Sequence, residues 1–352
     1  MSVDKKYCMS SFLAFRYIYE DGLDFSYGLK HQVYKHHSDD QKIPVRTAQD
    51  IDVYLKKTFE FLKGKKLGIL LSGGMDSAIL ASYMPGCDAY TFRFLGGKYQ
   101  EDELERAELF AKKYGLKLHY IDISWETVDK NLDTLMKNKN APVHSIEPQI
   151  YEGALQAKRD GVELMVIGDA ADYVFYGMDG LLAKDWKFED FYKRMIYVEP
   201  SEVLKEPVDM HYIFEKYRKG EYIDYLGMYN SIVTDESYAS YENAFCTANL
   251  PYVDPYELLK MKDPVDLNRV RNGESKYLIR ELFKMRYPDM PIPQKNPMPR
   301  PVDTYFKGWK GPTRPEFRND INLSNMTGNQ KWLIYCLERF LNMINDSYLS
   351  VS

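Results

Sequence analysis

The chain has few cysteines and none that pair in sequence: Cys8, Cys87, Cys246 and Cys336 lie far apart, with no C-x-x-C among them. That spacing excludes a zinc ribbon and argues against a disulfide framework. Neither sign of charge dominates. Lys and Arg number 47 against 52 Asp and Glu, a net −5 over 352 residues. No block of like charge offers the footprint of a tight nucleic-acid binder. Long apolar runs are missing too. None approaches the roughly 18 residues of a membrane span, and Phe12-Leu13-Ala14-Phe15 behind Lys5 and Lys6 is too short for a signal peptide. The six histidines show no HExxH or comparable metal spacing, and His36-His37 reads as a surface pair. What is present is 45% hydrophobic, 28% charged and 14% aromatic, a globular balance that suits one large domain or two ordinary ones. The expected setting is the cytoplasm.

The first 46 residues are rich in aromatics and turn residues. Ala14 to Tyr19 and Leu23 to Tyr27, around Glu20-Asp21-Gly22, predict a hairpin. Ile51, Leu55, Phe59 and Leu62 make one apolar stripe, predicting a helix over 48–63 capped by Thr47 and stopped by Gly64. From Lys66 the pattern changes. Leu67 to Leu71 reads as a strand buried on both faces, followed by a helix over 76–84, a strand over 89–94, a helix over 101–114 ending at Gly115, and a strand over 116–123. A further helix over 150–159 precedes a strand over 163–167. Alternation at this spacing predicts a parallel, doubly wound α/β sheet, whose ligand crevice lies beyond the carboxyl ends of its strands. After about residue 185 the pattern turns helical, over 188–228, 276–285 and 329–345, with a proline-rich loop over 288–301. The expected division is a short N-terminal hairpin and helix (1–60), an α/β core (61–200) and a mainly helical C-terminal part (201–352).

Directly after the first predicted strand stands Ser72-Gly73-Gly74-Met75-Asp76-Ser77, leading into a helix. Two glycines let the backbone turn tightly and approach a ligand. The following amides sit at a helix start, where partial positive charge favours phosphate, and Ser72 and Ser77 add hydroxyl donors. A carboxylate at Asp76 would repel phosphate alone, so it makes best sense as a ligand to Mg²⁺; the plainer reading is a helix cap. There is no GxxxxGK[ST] loop.

Ser-Gly-Gly-x-Asp-Ser resembles the pyrophosphate loop of the N-type ATP pyrophosphatases, which cleave ATP to AMP and pyrophosphate. Other segments are similar to the asparagine synthetase branch. Ile167-Gly168-Asp169-Ala170-Ala171-Asp172-Tyr173-Val174-Phe175-Tyr176-Gly177 resembles its S-G-(D/E)-G-A-D-E-L-F-G-G string. Tyr99 to Gly115 resembles a family helix, and Leu250-Pro251-Tyr252-Val253-Asp254-Pro255 its P-F-L-D step. Glu274 to Arg280 resembles its K-x-x-L-R helix, and Gln294-Lys295 its late lysine loop. The resemblance is collinear over roughly 60–310. It implies a five-stranded parallel sheet of the adenine nucleotide alpha hydrolase-like kind with a helical C-terminal part. It implies ATP and Mg²⁺ as cofactors, with Asp76 and Asp172 on the metal. Leu71, Phe94, Ile167 and Gly168 would contact base and ribose, and Ser72, Gly73, Gly74 and Ser77 the pyrophosphate. Asp169 would support adenylation, and Lys295 would lie against pyrophosphate. Lys276 sits in a helix, facing solvent or paired with an acid.

Two departures bear on the substrate. About sixty residues precede the loop, too few for the family's N-terminal glutaminase domain, so nitrogen is expected from ammonia, an amine-bearing substrate or a separate glutaminase subunit. Ala170 and Tyr173 replace a Gly and a Glu of the family string, which suggests that acceptor or amine differs from aspartate and ammonia. The expected reaction is adenylation of a small-molecule carboxylate, then acyl transfer to ammonia or an amine. A tRNA-modifying enzyme and a non-catalytic nucleotide binder stand as alternatives.

Overall fold

Five short strands form one parallel sheet: β1 (Leu67–Leu70), β2 (Asp88–Phe94), β3 (Lys117–Ile123), β4 (Leu164–Val166) and β5 (Tyr252–Val253), in the order β5-β4-β1-β2-β3. They come from a computed structural model that describes residues 2–95, 100–229, 235–294 and 298–349. In register, Ile69 stands beside Ala89 on one side and Val166 on the other, and Val253 beside Val166. The chain runs outward from β1 to β2 and β3, then returns to lay β4 against the opposite edge of β1. That reversal opens a crevice past the carboxyl ends of β1 and β4. The α/β class and the five-stranded parallel sheet are those expected from the sequence.

Helices cover both faces. The principal ones are α1 (Lys5–Phe15), α2 (Ala48–Phe61), α3 (Met75–Ala81), α4 (Glu101–Tyr114), α5 (Trp125–Lys139), α6 (Glu147–Arg159), α7 (Ala170–Val174), α8 (Asp235–Ala248), α9 (Tyr277–Arg286) and α10 (Gly328–Leu349). Side chains alternate along a strand, so each feeds two cores. Ile69, Ala89 and Val166 pack with α2, α3, α4 and α9. Tyr90, Met165 and Ile167 pack with α1, α5, α6, α8 and α10.

Where local chemistry agrees with the fold, the sequence marks the ends. In α2, Thr47 accepts from the Asp50 N–H while the Asp50 carboxylate accepts from the Thr47 N–H, a reciprocal cap. In α4, Glu101, Asp102 and Glu103 fill the first turn, Lys112 and Lys113 the last, and Gly115 ends the helix at φ +65°.

The N-terminal hairpin does not form. Residues 5–15 are helical, with the Asp4 side chain accepting from the Tyr7 N–H and Arg16 closing the helix at φ +68°. Leu23–Asp24 pairs in parallel with Ser2–Val3 instead of folding back on residues 14–19. The cause is burial on all sides: every residue from Tyr7 to Phe15 is buried, so no polar face reveals the helical period. Between 188 and 228 the helical reading holds only in pieces: Phe188–Met195, Pro200–Val203, His211–Glu215 and Tyr225–Tyr229, with Arg218–Lys219 and Tyr222–Ile223 as a small antiparallel ribbon. Proline at the start of Pro200–Val203 and Gly220 at φ +64° account for two of the breaks. Among the described residues no helix is long and apolar enough to cross a membrane.

Candidate active site

The crevice is built first by the turn after β1. Leu71 is still tied to the sheet, its N–H donating to the Tyr90 carbonyl at 2.8 Å. The chain then folds on its own hydroxyls. The Ser72 N–H donates to Ser77 Oγ at 3.1 Å, the Gly74 N–H donates to Ser72 Oγ at 3.1 Å, and the two hydroxyls lie 3.1 Å apart. Gly73 is required by packing: a Cβ there would stand 2.6 Å from the Glu103 carbonyl oxygen, in the first turn of α4. Arg106 closes the same contact by donating from Nε to the Gly73 carbonyl at 3.0 Å.

The second wall follows β4. Ile167 donates its N–H to the Val253 carbonyl at 3.0 Å, and Gly168 then brings the chain against Leu80 of α3. Asp254, the acid of the step after β5, is buried and fixes the start of α7: its Oδ2 accepts from the Ala170 N–H at 2.7 Å and its Oδ1 from the Tyr256 N–H at 3.0 Å. The Tyr256 hydroxyl in turn donates to the Asp76 carbonyl at 3.1 Å. Asp254 therefore couples the two strand-end loops. Asp169 lines the crevice beside Asp172, with Ser237 Oγ donating to its Oδ2 at 2.7 Å. Burial raises its carboxyl to about 7; the Ser237 bond works against that shift, and the charges of Asp172 and Glu236 add to it.

Asp76 and Asp172 meet on one cation. Lys276 Nζ lies 2.6 Å from Asp76 Oδ2 and 2.8 Å from Asp172 Oδ1, and its side chain is only 3% exposed. Burial disfavours the ammonium, but the two carboxylates outweigh it and hold the lysine above its ordinary range. The approach depends on Gly177, where a Cβ would lie 2.2 Å from Asp172 Oδ1 and 2.7 Å from Lys276 Cδ.

The resulting cleft, about 220 Å³, is lined by Leu71, Ser72, Gly74, Asp76, Ser77, Phe94, Ile167, Gly168, Asp169 and Asp172, all singled out in the sequence. Gly73 stands behind the loop, against α4. Lys295 lies outside the described residues, although its neighbours Pro293, Gln294, Met298 and Pro299 line the cleft. The sequence reading left Lys276 undecided between solvent and an acid; it is buried between two acids. Gln100 went unnoticed. It pins the end of β2, donating from Nε2 to the Phe92 carbonyl at 2.8 Å and accepting from the Phe94 N–H at 2.6 Å. Glu103 also lines the cleft, and burial pushes its carboxyl up.

A larger cavity, about 940 Å³, also takes part of its wall from the α7 segment, through Tyr173 and Tyr176, with Tyr17, Tyr19, Tyr34 and Tyr229 among its other lining residues. His36 belongs to this wall and is no plain surface residue. Its ring packs 4.2 Å from that of Tyr238 and 5.1 Å from that of Tyr173, within 4 Å of carboxylate oxygens of Asp235 and Glu257.

The asparagine synthase family model matches residues 62–247, more than half of the chain, and takes in the loop after β1, Asp169 and Asp172. A search of curated proteins gives no match. Among solved structures, the U34-tRNA thiolase NcsA from Methanococcus maripaludis with its [4Fe-4S] cluster is similar at 13% identity and a TM-score of 0.28, over 69% of this chain and 80% of that one. The NMN synthetase from Francisella tularensis is similar at 11% identity and a TM-score of 0.28, over 68% of this chain and 91% of that one. Neither likeness is close enough to inform the chemistry. The family match, together with a cleft at the switch point of a parallel sheet, supports an ATP-using, adenylating enzyme of the ligase type. The chain belongs to the asparagine synthase family.

Proposed function

We propose that the protein forms amide bonds, activating a substrate carboxylate with ATP and passing the acyl group to ammonia or an amine. The observation that carries this reading is the convergence of Asp76 and Asp172, from the ends of adjacent parallel strands, on buried Lys276 within the cleft. Such a pair suits Mg²⁺, which keeps several waters and takes one or two carboxylates beside phosphate oxygens. Among the described residues no group of three His, Cys, Asp or Glu is placed to hold a metal ion. Asp76 and Asp172 would hold the ion, and its chemistry would be to neutralise charge building up on the phosphates.

The chain's own residues then have separable tasks. Ser72, Gly74 and Ser77 would face the pyrophosphate, and Leu71, Phe94 and Ile167 would flank the base. Lys295 would stabilise the leaving group, as the family resemblance implies. The substrate carboxylate attacks the α-phosphorus, giving acyl-adenylate and pyrophosphate. The amine then attacks the acyl carbon, loses a proton to the Asp169 carboxylate, and AMP departs. The tyrosine-lined cavity beside α7 would receive a substrate larger than an amino acid.

ATP–pyrophosphate exchange with Mg²⁺ across pooled carboxylic metabolites tests the first step. Exchange that depends on one pool is the expected result. MgATP binding with no exchange in any pool, and no AMP formed when hydroxylamine is supplied with those pools, would sink the adenylation reading. The second step carries a pH signature. With its carboxyl at about 7, Asp169 is the better base above neutrality, so AMP release with hydroxylamine as amine should fall as pH drops below about 7. Asp169→Asn should flatten that limb, and an unchanged limb would remove Asp169 from the proton transfer.

A further inference from the structure

Two carboxylates that share one ligand position repel each other before any nucleotide arrives. Here the repulsion is met from within the chain. Asp76 Oδ2 and Asp172 Oδ1 both lie within 2.8 Å of Lys276 Nζ. Three features fix the lysine there. Its backbone is left-handed, φ +49° and ψ +40°, at the position just before α9, a conformation that costs a lysine about 1–2 kcal/mol. Its side chain is almost wholly buried. Gly177 leaves room that any Cβ would fill. A lysine held so tightly between two acids is doing more than satisfying a helix start.

We infer that Lys276 is a resident counter-ion that closes the Asp76–Asp172 pair to free divalent metal, so that the ion enters only together with nucleotide. The inference rests on the proposed reading of these carboxylates as the metal's ligands. Without nucleotide the three side chains sum to one negative charge. A strongly hydrated divalent ion would have to give up water for that small attraction and approach a fixed ammonium. The triphosphate of ATP changes the balance by adding several negative charges. An ammonium has three donors, so Lys276 can turn part of its hydrogen bonding to phosphate oxygens while the carboxylates turn to the metal. The enzyme would accordingly bind metal–nucleotide as a unit.

The test uses Mn²⁺ alone, with neither nucleotide nor acyl substrate, and follows the free aqueous ion by electron paramagnetic resonance. The full-length wild-type protein is expected to leave the Mn²⁺ signal unchanged until α,β-methylene-ATP is added. Lys276→Met should bind Mn²⁺ without nucleotide at least about tenfold more tightly than wild type. Adding Asp172→Asn to that variant should abolish the gain. Lys276→Gln, which keeps a hydrogen-bond donor without the charge, repeats the experiment should the methionine variant fold poorly. Thermal unfolding gives a second readout, with Mn²⁺ raising the Tm of the lysine variants and leaving that of wild type unchanged. Wild type that binds Mn²⁺ as tightly as the variants overturns the inference. So does a gain that survives Asp172→Asn, because the ion would then sit elsewhere. ATP–pyrophosphate exchange by wild type is measured separately, so a negative Mn²⁺ result with exchange intact removes the counter-ion role alone.

Discussion

Asp172→Asn lowers ATP-dependent pyrophosphate release by about three orders of magnitude, the scale for removing a charge that organises transferring phosphates. The substitution keeps shape and removes only charge. The backbone contacts of Asp172, its carbonyl accepting from the Gly177 N–H at 2.7 Å and from the Tyr229 hydroxyl at 2.9 Å, do not involve the carboxylate. Lys276 keeps Asp76 as its partner at 2.6 Å, so the site does not collapse into an unpaired buried cation. Circular dichroism and melting temperature should therefore stay near wild type while kcat/KM for MgATP falls. The adjacent carboxylate provides the contrast. Asp169→Asn should slow the transfer to amine more than the adenylation step that the family resemblance gives Asp169, because its carboxylate is bound by Ser237 rather than by Lys276. A loss at Asp172 of less than tenfold, or equal losses in both half-reactions at Asp169, would mean the two acids do not divide the work in this way.

Much of the α/β core was legible because its local and global requirements coincide. β1 is an apolar run between glycines, and α4 carries its acids first, its lysines last and a left-handed glycine behind them. Asp76 and Asp172 fall in one crevice on the sequence pattern alone, since each follows a strand of a parallel sheet. β5 is only two residues long, too short to carry a period; the family resemblance implied a fifth strand without placing it. Failure came where burial is uniform. From Tyr7 onward α1 has no solvent face to show its period, and its last residues, Ala14 and Phe15, read as the start of a strand. Lys276 stayed undecided between solvent and an acid for a different reason: its partners lie about a hundred and two hundred positions away, beyond any local pattern. No local pattern announces a lysine in a left-handed conformation or a glycine kept to admit it.

The second large effect is on stability. Lys139→Met should destabilise the protein by about 3–5 kcal/mol, because it strands a carboxylate that has no route to water. Lys139 ends α5 and Glu147 opens α6; their side chains are 5% and 0% exposed, with Nζ and Oε1 2.7 Å apart. Glu147 also accepts from the His144 N–H at 2.8 Å and from Asn243 Nδ2 of α8 at 2.6 Å, so three helices share one buried charge. Burial pushes its carboxyl up, and Lys139 is the main influence pulling it back. Without Lys139 the folded-state carboxyl rises further above its unfolded value. The folded protein then binds the extra proton, and stability falls as pH rises. The deficit of Lys139→Met, measured by urea unfolding, should thus be larger at about pH 8 than at about pH 5.5. Lys139→Met/Glu147→Leu should regain a large part of it, since removing both charges of a buried pair is far milder than removing one. A pH-independent deficit would put the loss down to packing. Because α8 carries both Asn243 and Ser237, the residue that binds Asp169, a loosened α8 should also blunt amine transfer at temperatures where the variant is still folded.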